Sequence, residues 1–203
     1  MRRLWTDLVL FERRYIVEAV RGSPVSELLV RALGGAVPPI ATAPGVRDLV
    51  PHFGPGDAAA IRILENVEAI GDSIVPYFGE KAGRALTHLL REHVLIAVEL
   101  LSAARRGNIS RFKAEDERLI GNADQIASFL SGLNDLWPRD ELARRIQLLC
   151  QLTKDEAVAR VTGDVDGDLR TFDRIYSEAM GLADALTQGL VQRSLGGKDR
   201  EVE

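Results

Sequence analysis

One nine-residue pattern occurs three times at a fixed interval, and that interval constrains the fold more than any other feature. RILENVEAI (62–70), RLIGNADQI (118–126) and RIYSEAMGL (174–182) each start with Arg, continue with two large residues, and carry a polar residue followed four positions later by an apolar one. The copies begin at Arg62, Arg118 and Arg174, so the spacing is 56 residues both times. A spacing of that length accommodates a helical hairpin, and equal spacings imply that the unit recurs.

The segments between the copies carry apolar residues at helical spacing. Leu4, Leu8, Phe11, Tyr15 and Ile16 form one stripe, and Leu86, Leu89, Leu90, Ala97, Leu100 and Leu101 another. Residues three, four and seven apart share one face of a helix. Aromatic residues make up only 5% of the chain, which weighs against a β-rich core. The chain is therefore expected to be all-α: six main helices in an antiparallel bundle, arranged as three repeated hairpins. The helices are expected at about 4–21, 58–75 (ended by Pro76), 80–106, 110–131 (capped by Ser110), 139–161 and 165–192. The domain is expected to span 1–194, with a fraying tail at 195–203.

Five of the eight prolines and five glycines crowd residues 34–56, where no helix survives. Residues 34–58 are thus expected to form an ordered, irregular insertion on the outside, after a short helix at 25–33. His52 within it reads as an exposed loop histidine.

Helical periodicity also aims polar residues inward. Asn66 shares a face with Ile63, Ile70 and Ile74; Asn122 with Leu119, Ile126 and Phe129; Glu178 with Ile175, Leu182 and Leu186. His93 falls amid Leu89, Leu90, Ala97 and Leu100. The expectation is a buried central cluster of Asn66, His93, Asn122 and Glu178, with Glu12 and Gln151 at its margin. Buried polar groups need partners, and symmetric copies would be the nearest ones.

The segments LTHLLREHVLIAVELL (86–101) and LTKDEAVARVTGD (152–164), with the Asn66 and Asn122 helices, resemble a family of small, functionally uncharacterised bacterial all-helical proteins. That family has recurring acid-His and Asn helices. Here Glu92-His93 matches the acid-His pair, while the corresponding positions hold Leu8 and Gln151. The resemblance implies motif roles for His93, Asn66 and Asn122, and no reaction.

Several classes of function are disfavoured. The net charge is −4, and no stretch has the cationic excess of a nucleic-acid surface. No apolar run approaches the roughly 18 residues of a membrane span, and the N-terminus lacks the apolar core of a secretion signal; a cytoplasmic location is expected. Walker, GxGxxG, GxSxG and CxxC motifs are absent. The single cysteine, Cys150, lies among Leu148, Leu149 and Leu152 and reads as buried. His88 reads as a surface residue. With neither Glu-x-x-His nor His-x-x-x-His present, the di-iron pattern is missing. Three readings remain: a bundle that binds a small polar ligand or a divalent cation at a degenerate metal site, a non-catalytic interaction or homodimerisation module, and an enzyme using Glu178 or His93 as acid–base.

Overall fold

The structure is a computed structural model and describes residues 1–20 and 57–198. The expected helix at 25–33, most of the 34–58 insertion with His52, and the end of the tail lie outside the described residues. Within them the fold is all-α, as the periodicity predicts. Six helices follow one another: α1 (Arg2–Val20), α2 (Asp57–Asp72), α3 (Val75–Arg105), α4 (Ile109–Leu133), α5 (Arg139–Thr162) and α6 (Val165–Lys198).

Each helix from α2 to α5 packs against both neighbours in sequence, and α6 returns to pack on α1. The described helices therefore close into a ring, and α1 also reaches α3 and α5. This packing is continuous around the ring, so no hairpin is set apart from the next. Positions 56 residues apart nonetheless have equivalent burial. Ile63, Leu119 and Ile175 are buried, and so are Val67, Ala123 and Ala179, then Ile70, Ile126 and Leu182, then Ile74, Leu130 and Leu186. Apart from Ile74, which lies in the turn just after α2, these side chains form the inward stripes of α2, α4 and α6.

The helix ends differ from expectation in three places. Pro76 does not stop α2; it lies in the first turn of α3, where its missing N–H has no helical acceptor to satisfy. α2 instead ends at Asp72, before a turn at Ser73 and Ile74, and α3 is kinked at Gly79, whose φ of 81° an L side chain rarely adopts. Asn108, not Ser110, caps α4, accepting a hydrogen bond from the Arg111 amide at 3.0 Å. α6 runs on past the expected end at 192 to Lys198.

The connection from α4 to α5 is anchored by Asn134. Its Nδ2 donates to the Gly189 carbonyl of α6 at 3.1 Å, and its Oδ1 accepts from the Leu136 amide at 3.1 Å. That seats Trp137, which is 2% exposed, against Phe78 with ring centroids 5.6 Å apart. The antiparallel pair α2–α3 closes tightly at Gly71, where an added Cβ would stand 1.9 Å from Thr87 Oγ1 and 2.8 Å from the Gly83 carbonyl oxygen. Because backbone is part of that obstacle, Gly71→Ala is expected to force the helices apart and cost about 1–3 kcal/mol. A thermal melt unchanged from the parent would show that this crossing tolerates a methyl group.

Candidate functional site

The predicted central residues divide into three groups. His93 and Asn122 do meet: Nδ1 of His93 lies 2.7 Å from Asn122 Oδ1. Asn122 Nδ2 donates to the Leu89 carbonyl at 3.2 Å, which directs the amide oxygen at the ring and puts the imidazole proton on Nδ1. Nε2 then faces Cys150 Sγ at 3.6 Å and accepts from the thiol. Asn66 is buried on α2, but its Oδ1 has no hydrogen-bond partner among the described residues. It takes no part in the His93–Asn122 pair.

Glu178 and Gln151 contradict the expected burial. The Glu178 side chain is 36% exposed and lies 3.9 Å from an Arg145 nitrogen. Gln151 is exposed and donates along its own helix to Asp155 at 2.8 Å. Residues 122 and 178 occupy the same position on their helices, at the flank of the inward stripe. His93 covers that flank on α4, whereas on α6 the neighbour is Arg145, itself partly exposed. Glu178→Ala is therefore expected to change stability by no more than about 0.5 kcal/mol. Asn122→Ala, which strips the acceptor from a buried imidazole N–H, is expected to cost about 1–3 kcal/mol. Denaturant unfolding of the two variants tests that contrast.

Glu12 has a setting of its own. It is half-buried and lines a cavity of about 110 Å³ between the helices. All six described helices contribute walls, among them Leu8, Ile70, Leu90, Ile126, Ile146 and Leu182. On α3 the lining runs from Leu86 to Leu101, about 22 Å at 1.5 Å per residue. The cavity is thus long and thin. Its polar groups are few: Glu12, His93, Cys150 and Thr153 cluster in the lining, with Tyr15 and the two indoles, Trp5 and Trp137.

Beside the cavity lies an ion network that the sequence reading missed. Arg13 on α1 donates to Glu156 Oε1 at 2.5 Å and to Asp168 Oδ2 at 3.1 Å, so it joins α1 to α5 and α6. Arg160 reaches Asp168 at 2.8 Å, and the Arg13 guanidinium stacks over the Phe172 ring at 4.3 Å. Glu156 and Asp168 are both buried. The signal was present in the spacing. Arg13 lies four after Val9 and three before Ile16, and Glu156 four after Leu152 and three before Ala159. Both charges therefore sit on the inward stripe, not on a solvated face.

Burial dominates the protonation of these groups. It pushes the Glu12 carboxyl up to about 7, helped by repulsion from Glu156. Glu156 is likewise pushed up to about 7 by burial, against the pull of Arg13 and with repulsion from Asp168. Burial lowers the pKa of His93 against the opposing effect of the hydrogen bond it donates to Asn122, and raises the Cys150 thiol to about 12 with a contribution from Glu12. The Cys150–His93–Asn122 chain therefore rests as neutral thiol, neutral imidazole and amide. Its donor order matches that of nucleophilic triads, but nothing here lowers the thiol pKa as an activated nucleophile requires.

Among the described residues no group of three or more His, Cys, Asp or Glu side chains is arranged to hold a metal ion. The divalent-cation reading thus has no set of ligands to rest on. Likewise, no described helix is long and apolar enough to cross a membrane. A second depression of about 280 Å³ lies between α5 and α6, lined by Glu141, Arg145, Gln188 and Gln192 among others. Its walls are more polar than those of the central cavity, and Glu141 and Arg145 among them pair with each other at 2.9 Å. The central cavity is the better site because all six described helices line it and a few polar groups stand within its apolar walls. No family model, curated protein or solved structure matches this chain, so the chemistry of the site rests on its own atoms.

Proposed function

We propose that this protein is a non-covalent ligand-binding bundle whose central cavity takes a slender, largely apolar molecule bearing one polar group. The observation that carries this reading is the cavity itself. Protein interiors are normally filled to crystal-like density, and an empty volume of about 110 Å³ is expected to cost about 2–3 kcal/mol at the usual penalty per unit of cavity volume. Side chains from all six described helices face that volume, so a ligand there would bridge the whole ring and recover the lost contacts. The lining favours a more apolar ligand than the small polar molecule expected: the walls suit a mainly apolar body, and Glu12, His93 and Thr153 are among the few polar groups that could hold a head group.

The test is equilibrium unfolding of the full chain with and without n-hexanol as a neutral probe. Saturation to a hundred times the dissociation constant is expected to raise stability by about 2.7 kcal/mol. Ala97→Leu, which extends a wall residue into the cavity, is expected to abolish the gain. A parent protein that n-hexanol does not stabilise would overturn the proposal.

A further inference from the structure

Glu12 narrows the ligand class, an inference that rests on the binding reading above. Its carboxyl lines the cavity among Leu8, Val9 and Ile16 and receives no hydrogen bond among the described residues. The charged groups around it are committed elsewhere. Arg13 is held by Glu156 and Asp168, Arg160 by Asp168 at 2.8 Å, and Lys154 by Asp116 at 2.7 Å. Those three cations face four acids once Glu12 is included, so among the described residues Glu12 is the acid without a counter-ion. From α3 the cavity wall carries His93, neutral and with its Nδ1 proton already donated to Asn122. From α5 come Cys150 and Thr153, which are uncharged, and Glu156, which repels it.

We propose that the cavity selects an apolar molecule carrying a protonated amine, whose ammonium group pairs with Glu12 while its hydrocarbon body lies along the apolar walls. An ammonium supplies both the donors and the positive charge that this carboxyl lacks. A ligand carboxylate would face repulsion at the same point, and an alcohol would satisfy a hydrogen bond without balancing the charge. The raised pKa of Glu12 adds a thermodynamic signature. Near neutral pH, an arriving ammonium displaces a proton from the site.

The test is calorimetric titration of the full chain with n-hexylamine, n-hexanol and n-hexanoate, which share a chain and differ in the head group. At pH 8 n-hexylamine is expected to bind about tenfold or more tighter than n-hexanol, the scale of one charge-assisted hydrogen bond, with n-hexanoate weakest. At pH 5, where Glu12 is protonated, the amine advantage is expected to vanish. Glu12→Gln is expected to remove the amine preference at pH 8, so that n-hexylamine binds this variant no tighter than n-hexanol; a variant that still prefers the amine would overturn the amine proposal. Binding of n-hexanol or n-hexanoate as tightly as the amine at pH 8 would overturn the amine proposal and leave the cavity reading standing. Failure of all three to bind would overturn both.

Discussion

Replacing Arg13 with leucine is expected to be the most damaging single change in the described fold, at about 3–5 kcal/mol. The arginine holds Glu156 and Asp168, both buried, and covers Phe172 with its guanidinium. Leucine fills part of the volume but leaves Glu156 with no cation within bonding distance among the described residues, while Asp168 keeps Arg160. An unpaired charge in a desolvated site is the costly half of a broken ion pair. The double variant Arg13→Leu with Glu156→Gln is expected to recover much of the loss, because the stranded charge is gone. Denaturant midpoints of the single and double variants test this. A single variant as stable as the parent would show that the network is hydrated.

The second large effect is a dependence of stability on pH that runs opposite to ordinary acid denaturation. Glu12 titrates near 7 when folded and near its usual value of 4.5 when unfolded. Below that lower value both states hold the proton and Glu12 has no influence. Between the two values only the folded state holds it, so stability falls as pH rises. Above the folded value both states have lost the proton and the full penalty remains, about 3 kcal/mol for this shift. Glu156, raised in the same direction, adds to the slope. Unfolding measured at pH 5 and pH 8 should show the fall, and Glu12→Gln should flatten it. An equal fall in the variant would mean that Glu12 is hydrated and titrates normally.

The helices and their inward stripes were legible in the sequence because periodicity is a local property. The spacing that joins Ile70, Ile126 and Leu182 predicted three buried positions, and all three line the cavity. Pro76 was misread because a proline marks a helix boundary without saying on which side the helix lies. Glu12 and His93 could be aimed inward from their helical spacing, but their protonation could not be read from it. That depends on desolvation by side chains distant in sequence.

What the sequence alone determined is which residues turn toward the axis of the bundle, since backbone geometry fixes the face that each position occupies. Tertiary structure alone decided which inward polar residues have partners. Asn122 and Glu178 hold the same place on their helices, yet one bonds a buried imidazole and the other half emerges beside Arg145. Arg13 finds Glu156 across 143 residues of chain, and no spacing rule links them. Burial and pairing come from helices brought together by the ring, so they belong to the fold as a whole. The same holds for the cavity, whose walls come from every described helix and exist only once the ring has closed.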